Sequence, residues 1–432
     1  MKVTLIQPRY FNIWESLAMG YLGSYAKAHF DGKLDINYFQ AYFDEDKNIL
    51  EEAVRSDIVA FSCTSPTFSH ALKLARILKQ ENPRIHTVFG GWHVSAVPED
   101  VLEHSEIDQI VVGEGEAAFL DILNGNRERI VRGRIVHTLD ELPFPDREMI
   151  RNQREIDLCQ KMVGERITSF QSCRGCPFNC IFCAEKTITG KFHRRNNPLR
   201  NRSPDNLLDE IISVNEKYKL DRFKFADATW NTSPHKVISF CHAKISLKFD
   251  LPFECNIHAS LATHEMFEWM AKANCKQINV GVESGSPAIM LKNKKGITRD
   301  KVEKVFQWAS EVGIERRAYF QIGMIDENEK DIKMTEEFIE KIQPDIVGIT
   351  ITCPYPGTDL YSRSKYKSIN WAETDEYSND FWHTKYLTNQ DLKDWQRYLS
   401  NKFYGKLAWH NKLLLNKKKN LDPIFSIVMT ED

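Results

Sequence analysis

Short β-branched segments alternate with helical segments along the first 140 residues. Five of them have the composition of buried strands: KVTLIQP, LDINYFQA, DIVAFSCTS, HTVFGG and QIVVGEGE. Helical segments such as SHALKLARILKQEN separate them, and this order implies right-handed crossovers and a parallel sheet. We therefore predict that residues 1–140 form a doubly wound, flavodoxin-like α/β sheet. Such sheets bind ligands outside the carboxyl ends of their strands.

Four of the chain's ten cysteines lie in the segment CRGCPFNCIFC. Cys173/Cys176 and Cys180/Cys183 both have C-x-x-C spacing, which first suggests a four-thiolate zinc site. Only three residues separate the two pairs, however, whereas zinc ribbons usually place a longer segment between them. Counted from Cys176, the pattern is C-x-x-x-C-x-x-C, and a long series of strand and helix segments follows it.

This segment resembles the signature of the radical SAM superfamily. The resemblance implies that Cys176, Cys180 and Cys183 bind three irons of a 4Fe–4S cluster. The fourth iron then stays open for the amino and carboxylate groups of S-adenosylmethionine. Cys173 does not belong to this set, and we expect it to be a small buried side chain. Phe182 corresponds to the aromatic residue that stacks near the adenine in this family.

Strand-like and helical segments continue to alternate after the cysteines. Together with the strand RITSFQSC they give about six βα units, which predicts a partial TIM-type barrel over residues 166–355. Catalytic groups in such barrels lie at the carboxyl ends of the strands. The segment FQIGMIDEN resembles the family's Gly-x-Pro-Gly-Glu turn but lacks its Pro-Gly, and this resemblance makes Gln321 and Glu327 candidates.

Two further segments of the barrel carry candidate site residues. GVESGS resembles the family's S-adenosylmethionine-binding strand, which implies that Glu283 binds polar groups of the ligand and Ser284 lies near its ribose. The alternative is that Ser284 and Ser286 cap the next helix, and both roles can hold together. Asp227, in FADATWN, occupies the place where relatives carry an acidic pair; it is a candidate catalytic residue, with a capping role as the alternative.

Three loops of the N-terminal sheet read SCTSPT, GGWHVS and GEGE. As an ordered set they resemble the cobalamin-binding domain that precedes many radical SAM enzymes. Glycines let a backbone approach a bulky ligand, and hydroxyls can donate hydrogen bonds to it, although tight turns would also explain the glycines. The resemblance implies cobalamin contacts at Ser62, Thr64, Gly90, Gly91, Gly113 and Gly115.

The N-terminal domain also departs from that family. Cobalamin domains that ligate cobalt from below carry an Asp-x-His-x-x-Gly loop after the first strand, but here that loop reads QPRYFNIWES, without a histidine. His93 is the only histidine in the three loops, and we expect it to have a turn or surface role. Four aromatic residues in these loops could close the cobalamin pocket: Tyr10, Phe11, Trp14 and Trp92.

The remaining segments suggest a linker and a C-terminal cap. TLDELPFPDREMI carries two prolines, so we place a linker over residues 141–165. Residues 356–432 are aromatic-rich and helical in pattern; relatives use this region to cap the active site, and the alternative is a helix packed on the flank of the barrel. A net charge of −2 gives no sign of a nucleic-acid or membrane surface, and the start of the chain has no signal-peptide pattern. We expect a cytoplasmic protein with reduced thiols.

These resemblances imply an enzyme that reductively cleaves S-adenosylmethionine to a 5′-deoxyadenosyl radical. We favour a cobalamin-dependent C-methyltransferase that acts on an unactivated carbon of a small biosynthetic substrate, with an external one-electron donor such as flavodoxin or ferredoxin. The alternative is a cyclase, epimerase, dehydratase or rearrangement enzyme without methyl transfer. A non-enzymatic iron–sulfur or zinc protein would make the GVESGS match a coincidence. A methylthiotransferase would need more N-terminal cysteines than Cys63.

Overall fold

The computed structural model describes residues 1–10, 14–190, 199–377 and 379–408. Phe11 and residues 409–432 of the predicted C-terminal region lie outside the described residues. The N-terminal strands are β1 (Lys2–Gln7), β2 (Asp35–Gln40), β3 (Ile58–Ser62), β4 (His86–Gly90), β5 (Gln109–Val112) and β6 (Ile130–Arg132). The helices between them are α1 (Leu17–His29), α2 (Asp46–Ala53), α3 (Ser65–Glu81), α4 (Trp92–Ala96), α5 (Pro98–Val101) and α6 (Glu116–Leu123).

The six N-terminal strands form one parallel sheet in the order β2-β1-β3-β4-β5-β6. Apolar side chains cover both of its faces, one cluster around Phe61 and Phe89 and the other around Leu5 and Val88. The strands are buried on both sides because helices lie on each face. The predicted doubly wound sheet is confirmed, and it contains one more short strand, β6, than the sequence indicated.

The segment between the two sheets is largely ordered. A 3₁₀ turn spans Leu139–Glu141, and helix α7 spans Gln153–Val163 within the predicted linker. Helix α7 buries Ile156, Leu158 and Cys159, and it ends at Gly164, whose φ of 83° suits a residue without a Cβ. The segment predicted as a linker therefore contains a packed helix, which follows its prolines.

The second sheet has the six parallel strands of a partial barrel, in the order β14-β13-β12-β11-β10-β7. Its strands are β7 (Ile167–Phe170), β10 (Arg222–Phe225), β11 (Phe253–Ile257), β12 (Cys275–Glu283), β13 (Glu315–Ile322) and β14 (Ile346–Ile351); β8 (Cys173–Arg174) and β9 (Arg200–Asn201) form a separate antiparallel pair. The helices are α8 (Lys186–Thr189), α9 (Pro204–Tyr218), α10 (Pro234–Ser246), α11 (His264–Lys272), α12 (Pro287–Lys292), α13 (Arg299–Glu311) and α14 (Glu329–Ile342), with a 3₁₀ turn at Ala259–Leu261. The predicted partial TIM-type barrel is confirmed.

Side chains alternate between the two faces of the barrel strands. Phe223 and Phe225 of β10 pack outward into the apolar cluster beneath the helices. Polar side chains occupy the alternate positions: Asn279 donates to Asn256 at 3.1 Å, and Lys224 lies over the ring of Trp14 at 3.5 Å from its centre. The barrel interior is therefore polar, which suits a polar ligand better than a sealed apolar core.

The chain continues past the barrel through α15 (Arg363–Tyr366), a 3₁₀ turn at Trp371–Glu373, α16 (Asn389–Lys402) and a 3₁₀ turn at Tyr404–Lys406. Helix α16 packs on the outer flank of β14 through the fully buried Leu392 and Leu399. The indole of Trp382 donates to the Gly323 carbonyl at 2.6 Å, which ties the preceding loop to the end of β13. In the part of the chain that the structure describes, no helix is long and apolar enough to span a membrane.

Candidate functional site

A cavity of about 290 Å³ lies where the carboxyl ends of the two sheets face each other. One wall consists of the N-terminal loops, including Ser62, Gly90, Gly91, Gly113 and Gly115. The opposite wall consists of Gln171, Cys173, Arg174, Gly175, Glu185 and the segment 226–228 of the barrel. Two separate regions of the chain, residues 62–115 and 171–228, therefore supply the loops that enclose one space.

A second cavity, of about 590 Å³, adjoins the first. Leu17, Ala18, Ser62 and Trp92 line both cavities, so the two spaces share a wall. Thr64, Tyr10 and Trp14 line the second cavity only, together with Tyr355 and Glu376 from beyond the barrel. The hydroxyl of Tyr355 donates to Glu376 at 2.5 Å, and Tyr10 reaches Asp375 at 3.5 Å. The segment after the barrel thus forms one side of this cavity.

Two glutamates of the GEGE loop bind arginines of the barrel domain. Both carboxylate oxygens of Glu114 accept from Arg200, and Arg174 donates to Glu114 at 3.2 Å and to Glu116 at 2.5 Å. Glu114, Glu116 and Arg200 are each less than 9% exposed. Removing one partner of a buried ion pair costs about 3–5 kcal/mol, so this network fixes the GEGE loop against the barrel. The glycines of the loop face the cavity while its glutamates hold the two domains together.

The residues before the cysteine loop are anchored by Asp227. Its carboxylate accepts from the backbone nitrogens of Ser172 and Cys173 at 2.8 and 2.9 Å, and from the Ser172 hydroxyl. Asp227 is 2% exposed and also lines the first cavity. The geometry gives Asp227 a positioning role at the start of the cysteine loop, and its predicted catalytic role stays a prediction.

Cys176, Cys180 and Cys183 are partly buried, whereas Cys173 is 3% exposed and donates to the Thr229 carbonyl at 3.5 Å. Burial raises the pKa of Cys180 to about 12 and that of Cys183 to about 11, so iron binding has to displace their protons. Among the described residues, no three His, Cys, Asp or Glu side chains meet closely enough to share one metal ion. A 4Fe–4S cluster does not require that, because each thiolate binds its own iron.

Glu283 ends strand β12 in a left-handed conformation, with a φ of 67°. The strand pairing shifts register between Gly281 and Glu283, and the carboxylate meets the ammonium of Lys295 there. Lys295 also lies over the ring of Phe182, with its nitrogen 5.8 Å from the ring centre. Ser284 is fully buried, and its hydroxyl contacts Thr335 of α14 at 3.3 Å and accepts from the Ser286 nitrogen at 3.2 Å. The predicted ribose contact of Ser284 stays a prediction.

Three other residues singled out from the sequence, His93, Glu327 and Gln321, line neither cavity. The Nδ1 atom of His93 contacts the Ser65 hydroxyl at 3.0 Å, and its ring packs on Phe68. Burial lowers the pKa of His93 to about 4, so it is neutral. It is buried in the short helix α4, and the expected turn or surface role is wrong. Glu327 is fully buried and accepts from the backbone nitrogens of Gly323 and Met324. One buried oxygen of Gln321 has no hydrogen-bond partner among the described residues.

Several residues that shape the site were missed by sequence reasoning: Lys295, Glu114, Arg200, Glu15 and His258. Each acts through a partner that is distant in sequence; Glu15, for example, accepts from the Ser169 nitrogen at 2.8 Å across the domain boundary. The only sequence signals were the acidic residues in GEGE and the lysines in NKKGIT. Neither signal identifies the residue with which these side chains interact.

Two family models match the chain, one on each side of the cavity. The B12 binding domain matches residues 9–123, and the radical SAM superfamily matches residues 170–339. A solved structure of the radical S-adenosylmethionine methyltransferase TsrM from Kitasatospora setae, with cobalamin and a 4Fe–4S cluster bound, aligns with a TM-score of 0.66 at 15% identity. The alignment covers 83% of this chain and 76% of TsrM, and at this identity it shows a shared fold.

Two curated relatives cover most of the chain. An uncharacterised methyltransferase of Pyrococcus horikoshii is 24% identical over 83% of this chain and 81% of its own length. The anaerobic magnesium-protoporphyrin IX monomethyl ester cyclase of Rubrivivax gelatinosus is 26% identical over 84% of this chain and 69% of its own length. The chain therefore contains a B12-binding domain followed by a radical SAM domain. Its cofactors are a 4Fe–4S cluster, S-adenosylmethionine and cobalamin.

The residues present fit these groups. Around the first cavity, Gly90 offers bare backbone: an added Cβ would have only Val111 within 4 Å. Tyr10 and Trp92 are 39% and 38% exposed; Tyr10 lines the second cavity, and Trp92 lines both. Close to the cysteine loop, the backbone nitrogen of Glu185 donates to the Cys183 sulfur at 3.4 Å, as expected beside a thiolate ligand. The residues around the cavities and in the cysteine loop are therefore compatible with cobalamin and a 4Fe–4S cluster.

Proposed function

We propose that this chain is a cobalamin-dependent radical SAM methyltransferase that transfers a methyl group to an unactivated carbon of a small biosynthetic substrate. One observation carries the proposal: a single cavity has the three cobalamin-type loops as one wall and the residues around the cysteine loop as the other. A methyl donor held by the first wall would face a radical generated at the second. An external one-electron donor such as flavodoxin or ferredoxin would supply the electrons.

When bound, the cluster with S-adenosylmethionine supplies a primary carbon radical, and cobalamin supplies the methyl group. The chain's own residues would position these groups and close the cavity around them. Cys176, Cys180 and Cys183 would hold the cluster, while Asp227 fixes the backbone in front of them. Glu283 would bind polar groups of S-adenosylmethionine, and Phe182 would pack near its adenine.

The contact between the domains serves the same purpose. The pairs between Glu114, Glu116, Arg174 and Arg200 keep the two walls of the cavity at a fixed separation. Radical chemistry needs such a closed space, because stray hydrogen-atom donors such as thiols would quench a primary radical. The ion pairs are thus expected to protect the reaction as well as the fold.

The second cavity is the place that we propose for the substrate. It adjoins the first through Ser62 and Trp92, and its walls combine aromatic rings with the carboxyl of Glu376. Burial raises the pKa of Glu376, and the Tyr355 hydroxyl donates to it. A small substrate with both an aromatic or apolar surface and a polar group would match such a lining.

A second candidate function is a radical cyclisation or rearrangement without methyl transfer, because one relative is a cyclase. Product analysis separates the two. The protein is reconstituted anaerobically with iron, sulfide and cobalamin. It is then given S-adenosylmethionine, a reductant and candidate substrates, which are metabolites of the pathway that the neighbouring genes encode. Methyl transfer is expected to give S-adenosylhomocysteine together with 5′-deoxyadenosine and a methylated product. Turnover with 5′-deoxyadenosine but no S-adenosylhomocysteine would instead support the second candidate.

A further inference from the structure

Lys295 and Glu283 form a buried ion pair at the carboxyl end of β12. Each side chain is 13% exposed, and the ammonium meets one carboxylate oxygen, Oε1. Both side chains occupy the space over Gly281, where any Cβ would collide with the two charged groups. The left-handed backbone at Glu283, with a φ of 67°, turns its carboxylate toward the lysine. A bulge, a glycine and an uncommon backbone conformation are therefore combined to make this pair.

The segment that carries Lys295 is attached to the cysteine loop at two further points. The carbonyl of Asn293 accepts from the Ile181 nitrogen at 3.2 Å. The carbonyl of Lys295 accepts from Nε2 of His258 at 2.9 Å, and the His258 ring stacks on Phe178 with 3.5 Å between ring centres. Burial and the Lys295 charge lower the pKa of His258 to about 3, so its ring is neutral. The ammonium is therefore held beside the residues between Cys176 and Cys183.

We propose that Lys295 is a positioning residue that fixes Glu283 for S-adenosylmethionine and places a positive charge beside the cluster, so that the cluster is easier to reduce. This inference rests on the assignment of the cluster to Cys176, Cys180 and Cys183 under the proposed function. Reduction adds negative charge to the cluster, and a nearby cation at low dielectric stabilises the reduced form. Glu283 acts in the opposite sense, because its charge disfavours an added electron.

A purely structural ion pair would behave differently. Its loss would lower the melting temperature and leave the reduction potential where it was. Lys294 provides the matched control: it is the neighbouring lysine, it is exposed, and it has no ion pair among the described residues. Lys295→Arg keeps the charge and tests for rescue.

The experiment is a potentiometric titration of the reconstituted protein, followed by the electron paramagnetic resonance of the reduced cluster. We expect Lys295→Met to lower the ratio of reduced to oxidised cluster at a fixed potential about tenfold, which is about 59 mV for a one-electron couple. Lys295→Arg and Lys294→Met should stay close to the wild type. Calorimetry should show about tenfold weaker S-adenosylmethionine binding for Lys295→Met.

An iron-loaded Lys295→Met protein with the wild-type potential overturns the inference. If Lys295→Met does not retain iron, Glu283→Gln and the double variant Glu283→Gln/Lys295→Met decide instead. Glu283→Gln should raise the reduced fraction and the double variant should return it toward the wild type; unchanged values in both overturn the inference. A wild-type protein that binds no 4Fe–4S cluster would instead contradict the proposed function, so the two failures can be told apart.

Discussion

Gly90→Leu is expected to weaken cobalamin binding without damaging the fold. Gly90 lines the first cavity, and a Cβ there would have only Val111 as a neighbour, at 3.7 Å. The added side chain would therefore enter the cavity of about 290 Å³ at which we propose that cobalamin binds. Overpacking of a close-fitting site costs roughly 1–3 kcal/mol, which corresponds to roughly 5- to 150-fold weaker binding.

Gly91 is a poorer position for this test. Its φ is 96°, and a Cβ would lie 2.7 Å from the Cys63 carbonyl oxygen and 2.8 Å from the Cys63 nitrogen. Even Gly91→Ala is therefore expected to disturb the backbone and to lower stability, whatever happens to the ligand. Gly90→Leu separates ligand exclusion from backbone damage.

The assay is equilibrium dialysis against hydroxocobalamin, read from the visible spectrum, with thermal unfolding measured in parallel. Gly405→Leu is the matched control, because a Cβ at Gly405 would meet nothing within 4 Å and Gly405 does not line either cavity. The reasoning is refuted if folded Gly90→Leu protein binds cobalamin as tightly as the wild type. It is equally refuted if Gly405→Leu weakens binding to the same degree.

Three further outcomes are expected. Cys173→Ser should keep the wild-type iron content, whereas Cys176→Ala should lose it, because the buried Cys173 thiol already donates to a backbone carbonyl; iron analysis decides. Glu283→Ala should weaken S-adenosylmethionine binding roughly 10- to 100-fold in calorimetry, since a charge-assisted hydrogen bond is worth about 1.5–3 kcal/mol. Burial and the neighbouring Glu15 raise the pKa of Glu155 to about 8, so its contribution to stability is present below its unfolded pKa and is lost as the pH rises toward 8. Glu155→Gln should remove this loss, up to about 1.4 kcal/mol per pH unit, in denaturant titrations from pH 5 to 8.

For each of these three predictions, one outcome would contradict the reasoning. Iron loss in Cys173→Ser would mean that the cysteine register is wrong. Unchanged ligand affinity in Glu283→Ala, together with a large fall in melting temperature, would assign Glu283 a structural role alone. Glu155→Gln with the same pH slope as the wild type would show that Glu155 is not the group responsible; Glu51→Gln, at an exposed position, is its control.

The sheets could be predicted from the sequence because their signals are local. KVTLIQP and DIVAFSCTS are strands in both the prediction and the structure, since a buried parallel strand is a short apolar run. Strand β6 was not predicted because three residues are too few to show the alternation of apolar and polar side chains that marks a strand. It is recognised in the structure by its pairing with β5. Helix α7 was not predicted because the prolines that precede it led us to assign the segment to a linker.

The site could be predicted only where its residues are neighbours in the chain. The spacing of Cys176, Cys180 and Cys183 is a property of one loop, so the sequence alone groups them, and their role as cluster ligands stays a prediction. The partner of Asp227 could not be predicted, because Ser172 lies 55 residues earlier, between β7 and β8. Glu114 and Arg200 are separated by 86 residues, and only the folded domains bring their charges together.

The most direct test of the central claim is the cofactor content of wild-type protein after anaerobic reconstitution and desalting. We expect about four irons and one cobalamin per chain, because the residues that flank the cysteine loop and the three sheet loops are opposite walls of one cavity. Cys176→Ala should lose the iron and keep the cobalamin. Folded, iron-loaded wild-type protein that retains no cobalamin would contradict the account.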